Sequence, residues 1–406
     1  MTSSDSRRPW TLLLMAAAFL VMVTLGIRQS FGLFLLPVTE ALGTGREVFS
    51  LALALQNLLW GIASPFAGAL ADKFGAGRVA AIGTLFYAGG LVVMASFVSP
   101  SGLMMGQLMI GIGLGSAGVS IALGAVARAV APEKRSLALG MVTSIGSFGQ
   151  FAVLPVTQIL IDGYGWQVSL LLLSGLSASM LASCLLMARD EKVREVRTAD
   201  IANITMNGML KTALSSTDYL LLTVGFFVCG IQVVFIATHL PTYLQDAGIG
   251  PEIASWALGL VGLFNIIGSL LAGWLGSFVS KAKLLAWLYL MRSVIIIGFL
   301  ILPPSPMTAL LFGAAMGLLW LGTIPLTSGL IVVFFGPAFL SMLYGVTFFS
   351  HQIGSFLGAW LGGWIYDNLG SYDLMWWIII GSGVFAFIIN LMIDERPKTL
   401  TTAAAE

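Results

Sequence analysis

The chain has 406 residues, 58% hydrophobic and only 9% charged, with a mean hydropathy of +0.97. Soluble domains carry roughly a quarter charged residues, so this chain cannot cover a surface facing water. The net charge of +1 says little about partners, but there is no acidic or basic tail of the nucleic-acid-binding kind, and the composition predicts an all-α, polytopic membrane protein.

Arg7 and Arg8 precede a first apolar run that lacks a small-residue cleavage site and exceeds a signal-peptide core. It therefore reads as an uncleaved first helix. A bilayer core takes about 20 apolar residues per helix. On that rule, spans are expected near 11–37, 48–71, 79–98, 102–130, 136–161 and 166–188. A polar connector, 189–218, follows, beginning with the mixed charges Arg189-Asp-Glu-Lys-Val-Arg. Six more spans are expected near 219–244, 253–279, 284–303, 307–334, 338–366 and 373–392. The expected architecture is twelve transmembrane helices in two six-helix bundles, 1–188 and 219–406.

Cations collect in cytoplasmic loops. With both termini placed inside, every Lys and Arg falls on the inner side except Arg46, in an outer loop, and Arg28 and Arg292, within spans. A wrong span count would scramble this asymmetry. The expected location is the inner or plasma membrane. An internal repeat supports the division into halves. Gly26 and Gly230, Phe31 and Phe235, and Pro37 and Pro241 are each 204 residues apart; Gly68 and Gly273, Leu70 and Leu275, and Asp162 and Asp367 are 205 apart. Duplicated halves with a site between them are the general plan of secondary transporters.

The turn after the second span reads Gly68-Ala-Leu-Ala-Asp-Lys-Phe-Gly-Ala-Gly-Arg-Val79. It resembles the signature loop of the major facilitator superfamily through Gly68, Leu70, Ala71, Asp72, Lys73, Gly75 and Arg78. One usually basic position is Gly77 here. The resemblance implies a gating loop, formed by Gly68, Asp72, Lys73, Gly75 and Arg78, that latches the halves on the cytoplasmic side. The second copy, Gly273-Trp-Leu-Gly-Ser, has lost its acid. Segments of spans 7, 10 and 11 (225–241, 317–327 and 350–363) resemble the bacterial monocarboxylate and oxalate/formate branch. An arginine common late in helix 8 of that branch is absent, since 265–273 holds Ser269 and no base. The Gly-Pro signature of drug antiporters in helix 5 is also missing.

Other motifs carry no chemistry. Gly113-Leu-Gly115-Ser-Ala-Gly118 matches a dinucleotide fingerprint but lies inside a membrane-length apolar run, where small residues serve helix packing. Gly354, Gly358 and Gly362 read the same way. Cys184 and Cys229 lie in apolar runs and, with two histidines, form no ligand cluster. No Walker loop or catalytic triad is readable, so no enzyme activity, metal or cofactor is expected.

Ionisable groups within a membrane are costly and usually face a cavity. The acids all fall in loops or at span ends, leaving no carboxylate at mid-membrane for a proton or sodium relay. A buried guanidinium without a buried acid calls for an anion. In the superfamily, helices 1, 4, 7 and 10 line the cavity. That resemblance makes Arg28 cavity-facing and leaves Arg292, on an outer helix, to bond carbonyls or polar groups of its neighbours. The expected substrate-binding residues are Arg28, Gln29, Asn57, Gln150, Gln232, Asn265, His351 and Gln352. Trp60, Trp320 and Phe348 are candidates for an apolar wall. The expected function is alternating-access transport of a small, monocarboxylate-like organic anion, with or without a coupled proton, by a monomer in the bilayer. Efflux of amphipathic drug-like compounds is the alternative.

Overall fold

A computed structural model describes residues 10–130, 132–189, 206–336 and 339–397, and these are helical throughout apart from short turns. The first span is broken: α1 (Trp10–Ser30), a 3-10 turn (Phe31–Phe34) and α2 (Leu35–Leu42). Next come α3 (Arg46–Phe74), α4 (Ala76–Ser96), α5 (Pro100–Ala117), α6 (Val119–Ala129) and α7 (Pro132–Arg189). The short α8 (Met206–Leu214) lies in the expected connector, of which 190–205 fall outside the described residues. The second half holds α9 (Thr217–Asp246), α10 (Pro251–Leu275), α11 (Lys281–Ile301), α12 (Pro306–Leu319), α13 (Thr323–Phe335), α14 (Leu340–Leu369) and α15 (Asp373–Leu391).

Among the described residues, ten segments are long and apolar enough to cross a bilayer. One of them, Ala138–Ala188, runs for 51 residues, far beyond the ~20 a crossing needs. Within it α7 turns at Gly165, whose φ of 79° and ψ of 164° suit only glycine, so α7 has two arms. Helix α14 is 30 residues long but carries Ser350, His351, Gln352 and Ser355, and falls outside the apolar set. Two expected spans are also interrupted. Residues 102–130 divide at the extended Gly118, and 307–334 divide between Leu319 and Thr323.

Helix starts follow from local chemistry. Pro100, Pro251 and Pro306 occupy first-turn positions, where the missing N–H costs nothing. Ser99 Oγ accepts from Gly102 N at 3.1 Å, and Ser305 and Thr308 form a reciprocal capping box.

The packing repeats between halves. Helix α1 packs on the first arm of α7 as α9 packs on α14, and α4 packs on the second arm of α7 as α11 packs on α15. The repeat pair Gly26 and Gly230 sits at the first two of these crossings. A Cβ on Gly26 would meet Gly149 and Val153, and one on Gly230 would meet the His351 carbonyl. Without a hydrophobic force between helices in lipid, such close approach is how they hold together. The glycines of the false dinucleotide motif do the same: Gly113 abuts Gly83 and Tyr87 of α4, and Gly115 abuts Ala63 and Ser64 of α3. The buried apolar residues form one large cluster within 13–187 and another within 209–393 that also takes in Leu33 and Leu154. The halves meet through α3 against α14 and α7 against α10, a pair of contacts related by the same repeat.

Candidate functional site

Arg28 lies two residues before α1 gives way to the 3-10 turn. It is half-buried, and its Nη2 donates to Asn57 Oδ1 of α3 at 2.7 Å. Asn57 is held in turn by its Nδ2 donating to the Leu53 carbonyl at 2.8 Å. The guanidinium carbon sits 4.9 Å from the Trp60 ring centroid, an attractive cation–π geometry. Arg28 Nε is buried without a partner, and among the described residues no carboxylate pairs with Arg28.

The rings continue across the interface between halves. Trp60 meets Phe348 of α14 edge-on at 5.5 Å, and Phe348 stacks on His351 at 5.9 Å with 6° between planes. His351 Nδ1 lies 3.1 Å from Gln352 Oε1, and the Ser355 hydroxyl donates to the His351 carbonyl at 2.9 Å. An amide oxygen facing Nδ1 favours the tautomer protonated there. The structure thus joins Arg28, Asn57, Trp60, Phe348, His351 and Gln352 in one continuous set. Gln29 Nε2, Gln352 Nε2 and Gln150 Oε1 are buried and unpartnered among the described residues.

Gln232 and Asn265 are placed elsewhere. Both amide ends of Gln232 are taken, Oε1 by Arg292 Nη1 at 3.3 Å and Nε2 by the Ile379 carbonyl at 2.9 Å. Asn265 donates to Ser147 Oγ at 3.0 Å across the α7–α10 contact and accepts from Leu321 N at 3.0 Å. That backbone N–H and the carbonyls of Leu319 and Trp320 are groups freed where α12 gives way to α13. The fully buried Arg292 takes the carbonyls: Nε and Nη2 donate to Leu319 O at 3.1 and 2.7 Å, and Nη2 also to Trp320 O. Its Nη1 faces Cys229 Sγ at 3.4 Å. Arg292 therefore bonds carbonyls and polar groups of its neighbours, as the outer-helix placement predicts. The Trp320 side chain is core of the second half and does not join the Trp60–Phe348 wall.

A second constellation, not foreseen from sequence, ties the halves at the end where α3 begins. Arg46 makes a two-pronged ion pair with Asp246 at the end of α9, at 2.6 and 2.8 Å. Its guanidinium carbon lies 3.5 Å from the Tyr366 ring centroid, and Nη1 also donates to Tyr372 Oη at 3.1 Å. Asp367 accepts from the backbone N–H groups of Arg46 and Glu47 at 2.9 and 2.7 Å, so an acid of one half caps a helix of the other. Trp360 Nε1 donates to Glu47 Oε1 at 3.0 Å. Behind Tyr372, whose hydroxyl meets His239 Nδ1 at 3.1 Å, the His239 Nε2 faces the Ala359 carbonyl at 2.8 Å. Burial raises the Tyr372 phenol above its ordinary range, against the opposing pull of Arg46, so it stays a neutral donor. The sequence signal was slight: Arg46 is the lone cation of its side.

At the opposite ends of these helices lies the loop around Gly75. Its φ of 99° turns the chain from α3 into α4. Lys73 and Arg78 are exposed, and a Cβ on Gly68 would meet open space. The Asp72 side chain is outside the described set. Gly77, at the usually basic position, lies against the backbone of Ala188 and the Cys184 carbonyl, where a side chain has no room.

An all-helical chain of many apolar segments, built from two similarly packed halves, with polar groups gathered between them, defines a multi-pass membrane transporter. The model of the Major Facilitator Superfamily matches residues 14–322 and 222–406, and the chain belongs to that family. It is similar to the uncharacterized MFS-type transporter YcxA of Bacillus subtilis (strain 168), with 26% identity over 92% of each chain. It is also similar to monocarboxylate transporter 13 of Rattus norvegicus, with 26% identity over 97% of this chain and 94% of the relative. Monocarboxylate transporter 12 of Xenopus laevis is 23% identical over 63% of this chain and 61% of its own. Family and relatives are transporters, so the chain is a transporter and not an enzyme.

Proposed function

We propose that the protein is a secondary transporter of a small organic anion, working by alternating access between two six-helix bundles, 1–188 and 219–406, joined by the connector 189–218. The twelve spans place both termini in the cytoplasm, a reading supported by the one-sided distribution of Lys and Arg. On this orientation the Arg46 constellation, which ties the two bundles together, is an outer gate, and the Gly68–Arg78 loop is the cytoplasmic latch. The location is the inner or plasma membrane, and a monomer suffices.

The observation that carries the substrate class is the treatment of Arg28. It is a half-buried cation with one neutral hydrogen-bond partner, one aromatic face and an unpartnered Nε. A carboxylate supplies what is missing, as two charge-assisted bonds to a planar fork. Asn57 and Trp60 hold the fork, while Gln29, Gln150 and Gln352 offer neutral donors and acceptors. Among the described residues no carboxylate accompanies the cation, and His351 with the glutamines sets the orientation of the bound acid. The names of the relatives, monocarboxylate transporters 12 and 13, support the same class.

The test is binding of a panel of labelled organic acids to purified protein, wild type against Arg28→Lys and Arg28→Gln. Arg28→Lys should bind more weakly through loss of the fork, and Arg28→Gln should lose at least ~3 kcal/mol by leaving the carboxylate unpaired. Acids should raise the melting temperature of the wild type and not of Arg28→Gln. Wild-type affinity in folded Arg28→Gln would refute the anion site and favour efflux of drug-like compounds.

A further inference from the structure

The wall beside Arg28 has a composition that a two- or three-carbon acid would not use. Trp60 of α3 and Phe348 and Tyr344 of α14 are all half-buried, and they come from both halves. Phe348 lies 6.4 Å from Tyr344 with 20° between planes, and Phe226 backs the row, 6.0 Å from Tyr344 and 4.8 Å from His351. The row begins at the guanidinium, which already lies over Trp60, and runs to the imidazole. A short aliphatic acid seated on Arg28 would satisfy the cation and make no use of the parts of Trp60, Phe348 and Tyr344 that stay exposed. A planar ring carried on the carboxylate would lie along the row and meet edges and faces at the offset geometries that rings prefer.

We propose that the transported acid is an aryl carboxylate, and that Trp60 and Phe348 are the residues that select the aromatic ring. This rests on the organic-anion reading of Arg28 and adds the substrate class to it. The carboxylate pairs with Arg28 and Asn57 orients the fork. The ring lies against the exposed parts of Phe348 and Trp60. Because Trp60 and Phe348 belong to different halves, an acid bound between them contacts both bundles at once and can report its presence to each.

The experiment measures calorimetric binding of benzoate, cyclohexanecarboxylate and acetate to purified wild type, Arg28→Gln, Trp60→Leu and Phe348→Leu, with the surface variant Trp287→Leu as control. Wild type should bind benzoate about tenfold more tightly than acetate and several-fold more tightly than cyclohexanecarboxylate. Phe348→Leu should weaken benzoate about fivefold and leave acetate within about twofold, whereas Trp60→Leu, which also removes the ring under the Arg28 guanidinium, should weaken both acids and benzoate the more. Trp60→Phe and Phe348→Tyr keep a ring and should retain most of the preference, which guards against loss through misfolding. Equal affinity for benzoate and cyclohexanecarboxylate would overturn the aromatic selection. So would a uniform loss of all three acids in the Leu variants, the mark of a wall that only holds the halves together. If the acids bind alike and depend on Arg28, the aryl assignment fails and the anion site stands. If none binds, or Arg28→Gln binds as wild type does, both fail.

Discussion

If the Arg46 constellation is the outer gate proposed above, removing its guanidinium should open that end of the molecule. In Arg46→Ala the two bonds to Asp246, the bond to Tyr372 and the stack on Tyr366 all go, while the Asp367 cap on the backbone remains. Hydrogen bonds to charged groups contribute about 1.5–3 kcal/mol when shielded. Here the Arg46 and Asp246 side chains retain 11% and 32% exposure, so screening brings the pair down to about 1 kcal/mol. The cation–π contact adds about 1 kcal/mol. Losing about 2 kcal/mol shifts the closed-to-open ratio roughly thirtyfold, since ~1.4 kcal/mol is tenfold. Asp246→Asn keeps the stack and should shift it about fivefold. The readout is the distance between spin labels on Ala41→Cys and Ala247→Cys, exposed positions on opposite halves; Cys184 and Cys229 are buried and escape labelling. A wider, second distance population should grow in Arg46→Ala, and raising the salt should mimic part of it in wild type alone. Identical distributions in wild type and Arg46→Ala would refute the gate.

Two further variants test the packing argument. Arg292→Gln strands the Leu319 and Trp320 carbonyls at the α12–α13 break, at about 1–3 kcal/mol each, and should lower the melting temperature by several degrees, with Arg292→Lys in between; an unchanged melting temperature would remove the structural role. Gly77→Arg restores the residue type that the signature loop usually carries, yet should destabilise by roughly 1–3 kcal/mol, because α4 lies against Ala188 and Cys184 there. Wild-type melting of that variant would show that the contact yields freely.

Much of the fold was legible because membrane helices must be long, apolar and internally hydrogen-bonded. Apolar length placed the segments, and the repeat at 204–205 residues foretold that Gly26 and Gly230 sit at equivalent crossings. The breaks within 102–130 and 307–334 were hidden, since a window of hydropathy averages over Gly118 and over Trp320–Gly322. Arg28 was legible as a charge out of place, and Asn57, one turn before Trp60, as a polar residue in an apolar run. The gate was not. Its members lie 200 to 326 positions apart, and nothing in local pattern joins Arg46 to Asp246 or Tyr372. Gln232 and Asn265 looked like site amides for the same reason: the backbone groups they serve appear only once helices meet.

On the proposed reading, the two interior arginines differ as a structural cation differs from a binding one. Arg292 is fully buried, and the broken backbone beside it supplies carbonyls in fixed positions. Nothing about that arrangement changes when a ligand arrives. Arg28 keeps part of its surface open and holds its fork in place with a neutral amide and a ring, which orient it without neutralising it. An anion there gains a preformed fork in a region of low dielectric, where a paired charge interacts far more strongly than in water. The gate at Arg46 is worth only about 2 kcal/mol on the same accounting, within the ~3 kcal/mol assigned to the carboxylate at Arg28. A ligand can shift an equilibrium only by its differential affinity for the two states. The anion therefore opens the gate if most of its binding energy is realised with that end open, and the spin-label distances in wild type, with and without a bound acid, measure that difference directly.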